Sequence, residues 1–256
     1  MDNHKLDHLE ALVRNRGKAG VAFSGGIDST FLASVVNHVC QGDMVAFLAD
    51  SRFQSKRDTA FAKDLAHRLG FALEVVSVDI LQDSDVAANT DQRCYYCKKT
   101  LFAGIRAAGE RLGISAFFHG VNLDDLSDTR PGIRAAEELG FEAPLAEAGL
   151  TKEHIRGAAK RLGLENWDRP SQSCLATRIP KGVMIEKGAL DQVEEAEGVL
   201  LDMGFEVVRV RHRGATAWIE TPKTDHPMIL DRAEQIKAAF EPIGFEQVLL
   251  DLTHTR

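Results

Sequence analysis

A glycine-rich turn constrains the fold of this chain more than any other feature: Ser-Gly-Gly-Ile-Asp-Ser at residues 24–29 directly follows the apolar run Val-Ala-Phe at 21–23. Because glycine lacks a Cβ, the backbone N–H groups of such a turn can point inward around an anion, and the N-terminus of the following helix adds partial positive charge. The turn therefore predicts a phosphate site between a strand and a helix, and chemistry on ATP. A glycine turn in an ordinary α/β unit is the alternative. The ATP-binding candidates of the turn are Ser24, Gly25, Gly26, Asp28 and Ser29.

The turn lacks one residue that many phosphate loops have. A Walker loop ends in Gly-Lys-Ser/Thr, whose lysine reaches the β- and γ-phosphates, and residues 24–30 contain no lysine. The pattern instead resembles the PP-loop of the ATP pyrophosphatases. This resemblance implies an adenine nucleotide alpha hydrolase-like fold, in which ATP is cut between its α- and β-phosphates and AMP is transferred to a carbonyl or carboxyl oxygen.

Short apolar runs alternate with helical patterns over the first half of the chain. The runs lie at 21–23, 45–49, 73–78 and 116–119, and the helical patterns lie at 30–38, 55–69 and 97–112. Two more helices are expected, one that starts at Pro131 and one that is capped by Thr151. Strands that alternate with helices predict a doubly wound parallel sheet, which places ligands at the carboxyl ends of its strands.

The second half of the chain predicts a smaller α+β domain after an irregular segment. The periodic pattern dissolves at 165–182, and it returns as helical patterns at 190–203 and 231–240, strand patterns at 207–210 and 217–220, and an apolar run at 245–252. We therefore expect three regions: a PP-loop ATP-binding domain at 1–165, an active-site loop or linker at 166–186, and a small substrate-binding or oligomerisation domain at 187–256.

Composition and charge narrow the setting. Of the 256 residues, 44% are hydrophobic and 27% are charged, which is typical of a globular protein. No run approaches the ~20 apolar residues that a membrane span requires, and the amino terminus has no apolar signal segment, so we expect a cytoplasmic protein with no membrane partner. The formal charge of −7 provides no global attraction for nucleic acid, so we expect no nucleic acid partner either.

Polar residues follow two further predicted strands, and parallel topology brings them to the edge of the sheet where the glycine turn lies. Asp50 and Ser51 close the second strand, where the ribose or base of a nucleotide would rest; a solvated strand end is the alternative. The fourth strand runs into Gly120 and Asn122, also ATP-binding candidates, and then into an acidic run. Mg²⁺ prefers one or two carboxylates together with phosphate oxygens, and Asp125 is the candidate ligand in this run. A solvated acidic loop is the alternative.

Three cysteines are candidates for chemistry. Cys94-Tyr95-Tyr96-Cys97 precedes the helical pattern at 97–112, and Cys174 lies in the irregular segment. Structural disulfides are rare in cytosolic proteins, so the Cys-x-x-Cys pair favours a metal or redox site. Half of a zinc site and a thioredoxin-like pair compete with an iron–sulfur cluster held by three thiolates. Cys40, on the apolar helix after the glycine turn, is expected to be a small buried hydrophobic residue.

These residues together carry a specific resemblance. Besides the glycine turn, the segments at 120–125, 129–132, 143–145, 151–156 and 169–180 resemble the LarE family of ATP-dependent sulfur transferases. The similarity covers nearly the whole chain. It implies that a carboxylate of a pyridinium mononucleotide is adenylated, that sulfur is then inserted to make the thiocarboxylates of the nickel-pincer cofactor of lactate racemase, and that the enzyme is a homo-oligomer.

The resemblance also implies two possible sources of the sulfur. In family members with a single active-site cysteine, that thiol gives up its own sulfur and becomes dehydroalanine, and Cys174 matches its position. Members that also carry the Cys-x-x-Cys pair bind a 4Fe–4S cluster through three cysteines, whose free iron holds a hydrosulfide as the sulfur donor, and Cys94, Cys97 and Cys174 match that form. We favour the cluster because it can be reloaded with sulfide, whereas a sacrificed cysteine ends the enzyme after one transfer.

Charged residues near Cys174 and in the second domain complete the candidate site. Arg178 would favour the thiolate of Cys174 or hold the substrate, and a surface salt bridge is the alternative. Arg209 and Arg211 share one face of a predicted strand and would bind a phosphate or carboxylate, with a solvated strand face as the alternative. The resemblance implies a substrate-binding role for both arginines and for Glu197.

The competing interpretations come from different functional classes. A tRNA thiolase would also use a phosphate loop and three cysteines, but the acidic charge disfavours RNA binding. An amide-forming ligase that resembles NAD or GMP synthetase would need no cysteines. A nucleotide sensor with structural zinc would release no pyrophosphate, so the substrate that triggers AMP formation would separate these functions.

Overall fold

A computed structural model describes residues 3–127 and 131–253, which divide into two compact units. The first unit draws on Met1–Ile80 and Gln92–Gln172, and the second on Leu81–Asp91 and Ser173–Arg256. The short segment 81–91 therefore belongs with the C-terminal part of the chain. Every helix in the described ranges is either too short or too polar to span a bilayer.

The described residues form helices and short strands in alternation. The helices are α1 (Asn3–Val13), α2 (Ile27–Val39), α3 (Lys56–Arg68), α4 (Ser84–Ala87), α5 (Arg93–Arg111), α6 (Pro131–Glu138), α7 (Pro144–Glu147), α8 (Lys152–Arg161), α9 (Lys187–Asp202), α10 (His226–Asp231) and α11 (Ala233–Phe240). The strands are β1 (Ala19–Ala22), β2 (Met44–Asp50), β3 (Ala72–Ser77), β4 (Ala116–His119), β5 (Phe141–Glu142), β6 (Arg209–Arg213), β7 (Thr216–Glu220) and β8 (Gln247–Leu250). Two 3-10 helices matter for the site, Leu123–Ser127 and Leu175–Arg178.

The first unit is built on one parallel sheet with the strand order β3-β2-β1-β4-β5. Alternate residues of β2 enter different cores. Ala46 and Leu48 pack with residues of α1, α2, α3 and α8, whereas Val45 and Phe47 pack with residues of α5 and α6. Helices thus cover both faces of the sheet, which confirms the predicted doubly wound fold. The carboxyl ends of β2, β1 and β4 lie side by side at one edge.

The second unit contains a three-stranded mixed sheet in the order β6-β7-β8. β6 and β7 form an antiparallel hairpin, and β8 pairs with β7 in parallel. Val210, Ala217 and Ile219 alternate into a core with α9 and α11, whereas Arg209 and Arg211 point to the opposite face. The smaller α+β domain predicted from the sequence is therefore confirmed.

Several element boundaries differ from those that the sequence predicted. α5 begins at Arg93 rather than at residue 97, so Cys94 lies on the helix together with Cys97 instead of before it. The start was missed because Gln92, the residue at the helix cap, makes no side-chain capping bond and leaves no capping signature. α1 and the two-residue strand β5 were not predicted, and β8 is shorter than the apolar run at 245–252.

Candidate active site

The glycine turn lies between β1 and α2, and its conformation requires glycine at one position. Gly25 has φ +73°, in the left-handed region that residues with a Cβ avoid. A Cβ on Gly25 would lie 2.9 Å from Cβ of Ala62 on α3. The backbone of the turn therefore passes against α3, and an alanine at position 25 would be both strained and crowded.

The hydroxyl groups of the turn hydrogen-bond within the turn itself. Ser29 Oγ accepts from the backbone N–H of Ser24 at 3.2 Å and donates to Gly26 O at 3.0 Å. Thr30 Oγ1 also donates to Gly26 O, at 2.9 Å. These bonds hold the turn in a closed loop at the N-terminus of α2. Contacts of Ser24, Gly25, Gly26, Asp28 and Ser29 with ATP remain predictions.

Asn166 supports the turn from a distant part of the chain and was not predicted from the sequence. Its side chain is buried and donates hydrogen bonds to Gly25 O at 2.9 Å and Thr30 Oγ1 at 3.0 Å. Its own Oδ1 is buried without a hydrogen-bond partner among the described residues. Because 141 positions separate Asn166 from Gly25, no local pattern could have revealed this contact.

Lys152 provides the cation that the turn itself lacks. Its ammonium forms an ion pair with Oδ2 of Asp28 on the first turn of α2. Burial raises the pKa of the Asp28 carboxyl, Lys152 opposes that rise, and the negative charge of Asp125 adds to it. Oδ1 of Asp28 is buried with no hydrogen-bond partner in the described residues. The sequence predicted a cap at Thr151 but gave no reason to select Lys152.

The residues after β4 pack closely against the same turn. A Cβ on Gly120 would lie 2.9 Å from Ser29 N, so a side chain at this position would press on the backbone of α2. Asn122 is buried, and its Oδ1 accepts from the backbone N–H groups of Asp124 at 3.0 Å and Asp125 at 3.3 Å. Gly120 and Asn122 therefore have structural contacts that explain their identity, and their contacts with ATP remain predictions.

The remaining acidic candidates lie at the same edge of the sheet. Asp125 approaches Asp28 closely enough for its charge to act on the pKa of that carboxyl. Asp50 and Ser51 are half-buried at the end of β2, next to β1. Parallel topology thus brings the glycine turn, the end of β2 and the acidic run to one edge. Asp128 at the end of the acidic run, and Thr129 and Arg130 of the segment at 129–132, lie outside the described residues.

His119, the last residue of β4, is a buried group that the sequence analysis did not select. Burial lowers the pKa of its imidazole to about 4, with a smaller contribution from the positive charge of Lys98. Nε2 has no hydrogen-bond partner within the described ranges, and the ring meets Phe102 edge-on at 5.8 Å between centroids. The imidazole is therefore neutral at physiological pH.

The Cys-x-x-Cys pair lies on the first two turns of α5. Cys94 is exposed and Cys97 is half-buried, and residues three apart lie on the same side of a helix. The guanidinium of Arg93 lies 3.5 Å from Sγ of Cys94. Tyr95, between the two cysteines, donates a 2.5 Å hydrogen bond to Glu138 of α6, which anchors this end of the helix. All four cysteines of the chain lie within the described residues, and none is in a disulfide.

Cys174 lies in the second unit, at the cap of the 3-10 helix Leu175–Arg178. It is exposed, and its carbonyl accepts from Thr177 Oγ1 at 2.8 Å. Across 3–127 and 131–253, no three His, Cys, Asp or Glu side chains are grouped as ligands of one metal ion. The donor set nevertheless fits a cluster, because iron–sulfur clusters are held by thiolates from accessible cysteines. Convergence of the three thiols remains a prediction.

Arg178 and Glu197, both candidates from the sequence, contact each other. Arg178 is only 3% exposed and makes two bonds to the Glu197 carboxylate, Nε to Oε1 at 2.8 Å and Nη2 to Oε2 at 3.0 Å. The alternative of a surface salt bridge at Arg178 is wrong, because the pair is buried. The predicted roles of Arg178 toward the thiolate and of Glu197 toward the substrate remain predictions.

Arg211 is arranged similarly but is more open. It binds the Glu220 carboxylate through Nε at 2.8 Å and Nη2 at 2.7 Å, and it donates to the carbonyl of Thr177. Its side chain is 25% exposed, compared with 3% for that of Arg178. Arg209, two residues earlier, shares this sheet face and is half-buried. Both arginines remain candidates for binding an anion.

Comparisons with known proteins agree with this arrangement. Residues 7–107, which include the glycine turn, match the asparagine synthase family model. A pyridinium-3,5-bisthiocarboxylic acid mononucleotide synthase of Lactiplantibacillus plantarum is 32% identical over 245 residues, which are 95% of this chain and 89% of that protein. An uncharacterized protein of a Synechocystis species is 36% identical over 97% of this chain and 93% of that protein. A Methanocaldococcus jannaschii protein, also uncharacterized, is 29% identical over 96% of this chain and 93% of that protein.

Proposed function

Because the chain belongs to the LarE family of ATP-dependent sulfur transferases, we propose that it adenylates a carboxylate of a pyridinium biscarboxylic acid mononucleotide and then converts it to a thiocarboxylate. The product would serve nickel-pincer nucleotide biosynthesis. The observation that carries this proposal is the 32% identity to the pyridinium-3,5-bisthiocarboxylic acid mononucleotide synthase over both units. The closed glycine turn, with Asp28 and Lys152 beside it, supports an ATP reaction.

The first step is the attack of a carboxylate oxygen of the substrate on the α-phosphorus of ATP. A new O–P bond forms, the bond to the β-phosphate breaks, and pyrophosphate leaves. The glycine turn and the N-terminus of α2 are proposed to stabilise the phosphate charge. Lys152 lies close enough to the turn, through Asp28, to take part in this stabilisation.

Mg²⁺ would supply further charge neutralisation on the phosphates. Asp28 and Asp125 fit this role, since Mg²⁺ binds one or two carboxylates together with phosphate oxygens. The closeness of the two carboxyl groups supports the assignment, because the negative charge of Asp125 acts on Asp28 and a cation held by both would offset their repulsion. A cation on Asp28 would also release Lys152 toward the phosphates.

The second step is the attack of sulfur on the acyl carbon, with AMP as the leaving group. If Cys174 is the donor, its Sγ forms a thioester, and loss of the Cα proton then breaks the Cβ–S bond. This elimination leaves the thiocarboxylate and dehydroalanine at position 174. Adenylation makes the substitution possible, because AMP is a far better leaving group than a carboxylate oxygen.

The second possible donor is sulfide on a 4Fe–4S cluster, which Cys94, Cys97 and Cys174 would hold. A cluster with three protein ligands supplies one iron with an open position for exchangeable sulfide. The chain passes between the two units after Asp91 and after Gln172. Cys94 and Cys97 belong to the first unit and Cys174 to the second, so the proposal requires one thiol of the second unit to meet the two of the first.

The second unit would bind the rest of the substrate. Arg209 and Arg211 are proposed to contact the substrate phosphate, because a guanidinium fork matches phosphate geometry. In this proposal residues 1–165 carry the ATP reaction, 166–186 carry the sulfur-transfer loop, and 187–256 bind substrate and join copies of the chain. A homo-oligomer located in the cytoplasm remains a prediction, and light scattering on the purified protein tests the oligomeric state.

The substrate is tested by ATP–pyrophosphate exchange. Exchange is measured with the pyridinium biscarboxylic acid mononucleotide, with tRNA, and with a carboxylate plus ammonia. We expect exchange and a thiocarboxylate product only with the mononucleotide. A Cys174→Ser variant should keep the exchange reaction and lose the product. Exchange that depends on tRNA, or an amide product, would instead establish a tRNA thiolase or an amide-forming ligase.

The sulfur source is tested by anaerobic purification with iron and sulfide analysis, followed by mass measurement of the protein after turnover. Stoichiometric iron and an unchanged polypeptide mass support the cluster. Negligible iron, together with loss of the mass of hydrogen sulfide from the peptide that contains Cys174, supports the sacrificial cysteine. Cys94→Ser should remove iron in the first case and leave the reaction intact in the second.

A further inference from the structure

We propose that Arg178 and Glu197 are positioning residues that hold the Cys174 turn for sulfur transfer, rather than groups that bind the substrate. This inference rests on the proposed sulfur-transfer function of Cys174. It concerns the second unit alone, in which the 3-10 helix Leu175–Arg178, α9 and β6 meet around the buried guanidinium of Arg178.

The guanidinium of Arg178 is aimed at the backbone around Cys174. Its Nη1 lies 2.8 Å from Ser173 O, 3.2 Å from Cys174 O and 3.0 Å from Thr177 Oγ1. The same nitrogen lies 2.6 Å from the hydroxyl of Ser173. Four oxygens of the turn thus surround one nitrogen, which fixes the carbonyls on both sides of the Cys174 Cα.

Glu197 fixes the orientation of that guanidinium. Its carboxylate binds Nε and Nη2 of Arg178, and Oε1 also accepts from the backbone N–H of Val210 on β6 at 2.9 Å. A bidentate pair restrains the guanidinium plane, so the third nitrogen, Nη1, can point only toward the turn. The carboxylate thereby connects the Cys174 turn to α9 and to the hairpin.

The Arg178–Glu197 pair is more deeply buried than Arg211, the arginine proposed to bind an anion. The Arg178 side chain is 3% exposed and that of Glu197 is 11% exposed, whereas that of Arg211 is 25% exposed. All three guanidinium nitrogens face oxygens of the protein in Arg178 and in Arg211 alike, so burial is what distinguishes Arg178. A substrate would have to displace Glu197 or the turn itself to reach Arg178, so the geometry assigns the pair to the turn.

The test uses Arg178→Lys and Glu197→Gln in the full-length protein, with Lys181→Gln as the matched control. Lysine keeps the charge beside Glu197 but lacks the fork that reaches the carboxylate and the turn together. Lys181→Gln breaks an ion pair with Asp91 in the same unit, whose partners are 79% and 81% exposed. Circular dichroism and thermal melting establish that each variant is folded.

The first measurement is amide hydrogen exchange in the turn. The N–H groups of Thr177 and Ile179 donate to Cys174 O and Ala176 O in the free protein. We expect their exchange to accelerate about tenfold or more in Arg178→Lys and Glu197→Gln, since local opening sets the exchange rate, and to stay unchanged in Lys181→Gln. Unchanged exchange in both pair variants would overturn the proposal.

The second measurement is single-turnover thiocarboxylate formation at varied substrate concentration. We expect the maximal rate to fall about 10- to 100-fold in both pair variants, because a misplaced reacting group slows the chemical step. The substrate concentration that gives half of this rate should change by less than about twofold, since no ground-state contact is lost. A large rise in that concentration would show that the pair binds the substrate. A wild-type maximal rate in Arg178→Lys would show that the guanidinium fork is not needed, and either result would contradict the proposal.

Failure of the sulfur-transferase proposal can be told apart from failure of the positioning role of Arg178 and Glu197. If the wild-type protein makes no thiocarboxylate, the sulfur-transferase proposal is wrong, and the exchange measurement alone decides the role of Arg178. Accelerated exchange of Thr177 and Ile179 would then still support the positioning of the turn, and unchanged exchange would contradict it.

Discussion

Lys152, on the first turn of α8, forms an ion pair with Asp28 of the phosphate turn, although 124 positions separate the two residues. A Walker loop carries its lysine within the loop itself. Here the cation beside the turn comes instead from a helix that lies far along the chain. The positive charge of Lys152 also offsets the repulsion between the carboxylates of Asp28 and Asp125.

Replacing Lys152 should weaken the ATP reaction and change its pH dependence. In Lys152→Met the pKa of Asp28 should rise further above its ordinary value of 3.8, because Lys152 lowers it in the wild-type protein. Asp28 would then be protonated at higher pH, so the acidic limb of ATP–pyrophosphate exchange should move to higher pH. We also expect the half-saturating ATP concentration to rise about tenfold, as for the loss of one charge-assisted contact.

Lys160→Met is the matched control for this prediction. Lys160 lies on the same helix, and its ammonium contacts the ring of Trp167 at 4.2 Å rather than the phosphate turn. This variant should keep the wild-type pH profile and ATP dependence. An unchanged profile in Lys152→Met would show that the ion pair has no role in the reaction.

An alanine at position 25 should distort the phosphate turn. Gly25→Ala forces a Cβ into the left-handed region, which costs ~1–2 kcal/mol, and brings it within 2.9 Å of Cβ of Ala62. We expect a loss of about 2 kcal/mol or more in the free energy of unfolding, together with a severe loss of pyrophosphate exchange. Urea unfolding and the exchange assay measure the two effects.

Gly188→Ala provides the contrast. Gly188 is an exposed residue of α9, and an added Cβ would meet no atom within 4 Å. In a helix this change should stabilise the protein by ~0.5–1 kcal/mol. If Gly188→Ala lost as much free energy of unfolding and pyrophosphate exchange as Gly25→Ala, crowding and strain at position 25 would not explain the losses in Gly25→Ala.

His119 should make the stability of the protein depend on pH below neutrality. The pKa of its imidazole is about 4 in the folded protein and has an ordinary value of 6.5. The folded state therefore binds fewer protons than the unfolded state between these values, so stability falls as pH decreases from 6.5 toward 4. Between pH 7 and pH 5 this residue should remove about 2 kcal/mol of stability.

His119→Gln tests this assignment, because glutamine does not titrate. Between pH 7 and pH 5, its free energy of unfolding should fall by about 2 kcal/mol less than that of the wild-type protein. His38→Gln, at an exposed position of α2, should retain the wild-type dependence. A wild-type pH dependence in His119→Gln would mean that other groups cause the loss of stability.

Asn89 should stabilise the chain that follows the Cys174 turn. Asn89 is fully buried with φ +53°, and its Nδ2 donates to Pro180 O at 2.8 Å and Val183 O at 3.1 Å. Asn89→Gly would keep the backbone conformation but lose these bonds, at a cost of about 1–3 kcal/mol. Asn89→Ala would add the left-handed strain of ~1–2 kcal/mol.

Amide exchange distinguishes the two contributions at Asn89. Both variants should accelerate exchange of Gly182, whose N–H donates to Asn89 O at 3.0 Å, and of Ile185, whose N–H donates to Ala87 O at 2.8 Å. Asn89→Ala should show the larger acceleration. Protection equal to the wild type in Asn89→Gly would show that the buried amide does not hold this segment.

Predictions from the sequence succeeded where the signal was local. The phosphate turn was found because glycines, hydroxyls and a strand-to-helix transition occur within a few residues. The α/β fold was found because buried strands are short apolar runs and helices end at glycine. The start of α5 was missed because its cap leaves no sequence signature. α1 was overlooked although Leu6, Leu9 and Val13 follow helical spacing.

The candidate site was predicted less completely than the fold. The sequence selected Arg178 and Glu197, but it assigned them to the thiolate and the substrate and did not connect them with each other. Asn166 and Asn89 lay in no recognised motif, and Lys152 lay in the segment at 151–156 but was not selected as a site residue. Their roles depend on partners that are 141, 124 and about 90 positions away in the chain.

By itself, the sequence determined the strand–turn–helix at the glycine turn and the succession of a parallel α/β unit and a smaller α+β unit, because these follow from residues that are neighbours in the chain. It also determined the family, because similarity extends along the whole length. Only the tertiary structure decided which side chains hold the turn at Gly25, which cation meets Asp28, and that the guanidinium of Arg178 is enclosed by Glu197 and the Cys174 turn. Hydrogen bonds and ion pairs act over a few ångströms, and the distances between these groups are set by folding and not by their separation along the chain.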